Sequence, residues 1–148
     1  MGIFDTLMIS RKRVDEIENK IKKLRVQSSD TRDMIHRLFP GQKERHIGSI
    51  GFLIMMLSVL EDIPKLLNQI DIFDNVRDLF ELDGDTIVTY KLIISQTLKS
   101  SNGTSDFIKK ICELETTNDS EREFFVTGLM LGFAIAQEMI KGKRFSPF

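Results

Sequence analysis

No internal disulfide can form in this chain, because Cys112 is its single cysteine among 148 residues. That removes the small disulfide-stapled secreted folds and points to a reducing cytosol as the expected compartment. Two histidines and one cysteine, with no Cys-x-x-Cys or His-x-x-x-His spacing, leave no zinc pattern, and the Asp-Gly-Asp at 83–85 lacks the remaining ligands of a calcium loop. No metal and no cofactor is expected. Neither Gly-x-x-x-x-Gly-Lys nor Gly-x-Gly-x-x-Gly occurs, so the common phosphate-cradling loops are missing as well. The longest apolar run, Ile47 to Leu60, falls short of the roughly 20 residues that cross a bilayer. A buried core helix is the better reading of it, and no membrane partner is expected. Gly2 followed by Thr6 fits a loose acylation pattern, but no second membrane signal accompanies it.

What the chain does have is helix periodicity. A hydrophobic fraction of 41% and a charged fraction of 29% are ordinary for a globular domain, and the length suits one domain. The formal charge of −1 is unevenly spread: residues 1–46 hold 11 Lys/Arg against 7 Asp/Glu, the remainder 10 against 15. In the first long element, Val14, Ile17, Ile21 and Leu24 follow a strict 3–4 alternation, and Glu16–Lys20 and Glu18–Lys22 are acid-before-base pairs one turn apart. Two continuations are open. An unbroken helix would carry the register through Ser28 and Thr31 to Ile35 and Leu38 as a self-associating arm; alternatively a cap near Asp30 ends it, and its face packs on its own domain.

Pro40–Gly41 marks a turn, and a helix from about Lys43 carries the Ile47–Leu60 run. Asp62 and Pro64 suit a short restart, and a brief helix over Asp74–Leu82 is expected to close in a turn at Asp83–Gly84–Asp85. Residues 86–99 are ambiguous. Their β-branched start and the Asp–Gly before them suggest a hairpin, whereas the spacing of Val88, Leu92 and Ile93 suggests a helix, the reading favoured because its surroundings are helical and a lone hairpin would be marginal. Ser105 is the expected cap of the next helix. Ser120 with Glu123 reads as the capping box of the last helix, and Gly142 as its stop.

The expected fold is therefore all-α: a compact single-domain bundle of six or seven helices, with a long N-terminal helix able to project. Residues 10–39 form the helical arm, 43–142 the core, and 143–148 a frayed tail. In the last helix Gly128, Gly132 and Ala136 run down the middle of an apolar arc that includes Phe124, Phe125 and Phe133, with Thr127, Gln137 and Glu138 outside it. Each central glycine lowers helix propensity by about 1 kcal/mol relative to alanine. Close approach of another helix backbone is the natural compensation, either within the chain, against the helix bearing Gly48 and Gly51, or from a partner.

Glu121 and Glu123, then Phe124 and Phe125, then Gly128-Leu129-Met130-Leu131-Gly132 resemble the C-terminal helix of small helical proteins of Gram-positive bacteria and their phages and mobile elements. The resemblance covers about 20 residues and implies a bacterial or phage setting. A second stretch, with Arg32 and His36 one turn apart and Arg45 and His46 after the turn, resembles the arginine–histidine motif of HEPN-type helical ribonucleases, except that three residues separate Arg32 from His36 where that family has four to six.

The functional expectation is a non-enzymatic protein-binding module, a phage or mobile-element accessory factor such as an inhibitor or assembly adaptor. Its partner is another protein, or a second copy met through the N-terminal helix. The expected interface residues are Val14, Ile17, Ile21 and Leu24, with Gly128, Gly132 and Ala136 as a helix seat. The alternatives are a nucleic-acid binder using Arg11, Lys12, Arg13, Lys20, Lys22, Lys23 and Arg25, and a ribonuclease using Arg32 and His36. The acids interleaved in the arm weaken the field that nucleic-acid binding requires.

Overall fold

The computed structural model describes residues 3–59 and 70–140. Among these residues there are eight helices and no strand: α1 (Ile3–Thr6), α2 (Arg11–Gln27), α3 (Thr31–Leu38), α4 (Gln42–Val59), α5 (Ile70–Phe80), α6 (Gly84–Lys99), α7 (Thr104–Glu115) and α8 (Asp119–Ile140). The expected Asp62 cap with Pro64, the Gly142 stop, the 143–148 tail and the Gly2 pattern all lie outside the described residues.

The extra helices come from local capping chemistry. Ser10 accepts from the Arg13 amide at 3.2 Å and opens α2. The first long element does not run unbroken: Asp30 accepts from the Asp33 amide at 2.8 Å, while the Asp33 carboxylate accepts from the Ser29 amide at 3.1 Å. This reciprocal cap starts α3 as a separate helix, so the heptad register is cut at Ser28–Asp30. The α5 helix is longer at its start and shorter at its end than Asp74–Leu82 suggests. It ends where Glu81 turns left-handed (φ 56°) and the Leu82 amide reaches back to the Arg77 carbonyl at 2.9 Å.

Residues 86–99 are helical. Asp83 is the N-cap of α6, accepting from the Thr86 amide at 2.9 Å and from its hydroxyl at 2.7 Å, and Gly84 is the first helical residue. The Asp–Gly pair thus starts a helix instead of turning a hairpin. Two caps differ from expectation by a residue or two. The α7 helix begins at Thr104 after Gly103 (φ 103°), which places Ser105 inside the first turn. In α8, Asn118 accepts from the Glu121 amide at 2.9 Å and Glu121 accepts from the Thr117 amide at 3.0 Å, so this pair does the work assigned to Ser120 and Glu123.

The core is built on α4, whose residues from Ile47 through Leu57 are all buried. A helix apolar on every side can be stable only when surrounded, and α8, α5 and α7 pack on it, α8 by far the most extensively. A Cβ on Gly128 would lie 2.9 Å from the Gly48 carbonyl carbon, one on Gly132 would lie 3.1 Å from that of Phe52, and one on Gly51 would meet the Phe125 carbonyl oxygen at 2.5 Å. The two helices therefore run parallel with their backbones in contact. Around this seam Phe39 and Phe52 pack against Phe80 with tilted rings, the centroids 5.8 Å apart for Phe39–Phe80 and 5.3 Å for Phe52–Phe80.

Candidate functional site: the groove flanking the N-terminal helix

The α2 helix lies along α8 on a narrow seam. Val14, Ile17 and Ile21 point inward and are buried, and Leu24 packs partly against the same core. The rest of α2 faces water. Two arginines pin its ends to α8: Arg13 pairs with Glu123, and Arg25 with Glu138. The pairing order, 13 with 123 and 25 with 138, sets α2 parallel to α8.

Because the seam is only one residue wide, it leaves a hollow on each flank. The larger, about 740 Å³, runs between α1, α2, the end of α4, the start of α7 and the middle of α8. Its apolar surface includes Ile21, Met55, Val59, Ile108, Met130 and Phe133. Phe133 is 44% exposed, although the helical wheel places it within the buried arc. Such a volume and lining are typical of a ligand or peptide site. Charges rim the α2 wall in pairs: Arg11 with Asp15 at 3.4 Å and Lys22 with Glu18 at 2.8 Å. A smaller recess of about 350 Å³, on the other flank, is bounded by Ile17, Leu38 and Phe124.

The expected interface residues thus fall into two sets. Val14, Ile17 and Ile21 are covered by the chain's own core, and the α2 helix does not project from it. Gly128 and Gly132 are filled by α4 and Ala136 is fully buried, so the helix seat is occupied within the chain. Thr127, expected outside the apolar arc, is buried at 8% because its hydroxyl is satisfied by the Glu123 carbonyl at 2.7 Å.

Of the arm's basic residues, Arg11, Arg13, Lys22 and Arg25 are engaged with carboxylates, and Lys12, Lys20 and Lys23 are exposed. Ion pairs near the surface contribute about 0–1 kcal/mol each, and they reduce the positive field that a phosphate backbone would meet.

Arg32, His36 and Arg45 do come together, around a residue that sequence reasoning passed over. Glu81 has its carboxylate 3.1 Å from His36 Nε2, and the hydrogen bond and charge of His36, with the nearby Arg45 and Arg32, hold its pKa below the ordinary range. The guanidinium of Arg32 donates to the Asp78 carbonyl at 3.3 Å, and that of Arg45 donates to the Phe39 and Pro40 carbonyls. These bonds tie α3, α4 and the end of α5 together. The His46 carbonyl accepts from the Tyr90 hydroxyl at 2.7 Å and from Ser49 at 2.8 Å, and burial pushes the Tyr90 phenol well above its usual value. The Cys112 thiol is buried and its pKa raised by burial, which makes it an inert core residue rather than a nucleophile. Among the described residues no cluster of histidine, cysteine and carboxylate side chains could hold a metal ion, and no helix is long and apolar enough to cross a membrane.

Comparison with known proteins adds no relative: no family model matches the chain, no curated protein matches it, and no solved structure matches it.

Proposed function

We propose that this chain is a non-enzymatic protein-binding module whose docking surface is the groove flanking α2. The observation that carries the reading is the 740 Å³ apolar hollow containing Phe133, a large aromatic left 44% exposed in the middle of an otherwise buried helix face. Met55 and Met130 in its lining are soft, adaptable side chains suited to receiving an apolar protein segment. The concrete form we favour is an accessory factor of a phage or mobile element, an inhibitor or assembly adaptor, in keeping with the resemblance carried by Glu121 to Gly132. Self-association through the N-terminal helix belongs to the same reading.

The test is a quantitative interaction screen of the full chain against the proteins encoded around its own gene, run in parallel with Phe133→Lys. A partner held by the parent and lost by the variant, with melting temperature unchanged, supports the groove. Partners indifferent to Phe133→Lys overturn it. The two rival readings are separable from this one. A nucleic-acid binder using the arm would lose affinity steeply with salt, and a ribonuclease would lose RNA cleavage in His36→Ala.

A further inference from the structure

We infer that α2 is an exchangeable arm: residues 11–27 of one copy leave their seat and occupy the identical seat on a second copy, giving a dimer joined by reciprocal exchange. The inference rests on the proposed self-association and names its geometry. Four observations support it.

The first is the narrowness of the seat. Only Val14, Ile17 and Ile21 of the 17-residue helix are buried, and hollows of about 740 and 350 Å³ open on either flank. The preceding segment travels with the helix, so the exchanged piece also carries the buried Leu7 and Ile9 to the second copy. The second is charge. Arg13 meets Glu123 and Arg25 meets Glu138, so the seat specifies two cations about three turns apart on the incoming helix, with an apolar stripe between them. Another copy's α2 carries that pattern in full, which is why a second copy is the occupant the seat fits best.

The third observation is the hinge. Ser28, Ser29 and Asp30 join α2 to α3, and the Asp30 and Asp33 carboxylates cap α3 without any help from α2. Rotation at Ser28–Ser29 can therefore swing α2 outward while α3 stays capped. The fourth is an unpartnered hydroxyl at that hinge. The Ser28 hydroxyl oxygen is shut off from water without a hydrogen-bond partner. A buried polar group in that condition opposes the closed geometry, and opening the hinge returns it to solvent.

The test reverses the two pins. One variant carries Arg13→Glu with Arg25→Glu, the other Glu123→Arg with Glu138→Arg. In each variant alone, both pins place like charges together. In a mixed dimer, the reversed α2 of the first variant finds the arginines of the second, and the parental arginines of the second find Glu123 and Glu138 of the first. Mixing the two full-length chains should therefore give a heterodimer of one copy each, at twice the 17.1 kDa chain mass, by native mass spectrometry and sedimentation. Circular dichroism first establishes that each variant is helical.

Two folded variants that stay apart on mixing would overturn the exchange, while leaving the Phe133-dependent partner reading untouched. Should either variant fail to fold, Arg13→Cys with Glu123→Cys in a Cys112→Ser background gives the second measurement. After refolding at high protein concentration and oxidation, exchange predicts disulfide-linked dimers that persist on a denaturing gel. Crosslinks confined to single chains would overturn it.

Discussion

Replacing Gly132 by alanine separates two effects of opposite sign. In a helix interior, alanine is favoured over glycine by about 1 kcal/mol, so a helix judged on its own should gain from the change. In this structure the new methyl would press on the Phe52 carbonyl group across the α4–α8 seam, where Phe52 and Leu53 are fully buried and Gly51 is buried beside them. A backbone group cannot rotate aside as a flexible side chain can, so the helices must separate along their most extensive contact. Overpacking of this kind costs about 1–3 kcal/mol, which exceeds the propensity gain over most of its range. For a domain of this size, each kcal/mol shifts the melting temperature by roughly 2–4 °C, so Gly132→Ala should melt several degrees below the parent. Gly128→Ala should behave alike, since its methyl would meet the Gly48 carbonyl group. Gly84→Ala is the internal control, because nothing lies within 4 Å of the added methyl, and it should melt at or above the parent temperature. Thermal unfolding followed by circular dichroism measures all three. A Gly132→Ala protein more stable than its parent would refute the close backbone crossing.

The remaining predictions concern caps, hydrogen bonds and titration. Asn118→Ala should cost about 1 kcal/mol by removing the α8 N-cap, and Ser120→Ala should change stability by less than about 0.5 kcal/mol; the reverse order would restore Ser120 as the cap. Tyr90→Phe should cost about 0.5 kcal/mol in urea unfolding, the low end of the range for one hydrogen bond, because the His46 carbonyl keeps its bond from Ser49. Burial raises the folded pKa of Glu115, so its protonated form is the one the fold favours and stability is lost as pH rises through that value. Glu115→Gln should therefore raise the melting temperature at neutral pH, with the gain vanishing in acid. The opposite sign applies to Glu121, whose folded pKa is lowered by Lys43 and by the Thr117 amide. Its contribution is present above the ordinary carboxylate pKa of about 4 and lost as pH falls through the lowered folded value, so Glu121→Gln should flatten the acid limb of the stability profile.

The helices could be read from the sequence because their signals are local. The 3–4 spacing of Val14, Ile17 and Ile21 and the all-round apolarity of Ile47 to Leu57 each describe a surface that only burial can satisfy, and these residues are buried. Boundaries were less accessible because a cap depends on which of several adjacent polar residues adopts extended backbone. Around α8, Thr117, Asn118, Asp119 and Ser120 are all competent, and the structure selects Asn118. Residues 86–99 show the same competition at larger scale. Their β-branched residues fit strand or helix about equally, and the outcome follows from Asp83, whose side chain caps the Thr86 amide and commits the segment to α6.

The site was harder to read than the fold, for a geometric reason. A helical wheel ranks positions by direction alone, and direction cannot say where a neighbouring helix stops. Phe133 lies on the apolar side of α8, yet α2 touches α8 only along a thin seam, so this ring lies in the gap beside it. Glu123 and Glu138 were open to the opposite error. One was absorbed into a capping box and the other left on the polar face, whereas both bind arginines more than 100 residues away in sequence. The same is true of Glu81, whose left-handed backbone and contact with His36 arise from how α5 ends against α3. In each case the missing information is the relative placement of two helices. That placement is set at the Gly128–Gly48 and Gly132–Phe52 contacts, which locate α8 against α4 and so determine how much of α8 remains for α2 to cover. The glycines and the groove are linked for this reason: the contact that seats α8 on α4 also fixes which side of α8, with Phe133 on it, faces α2.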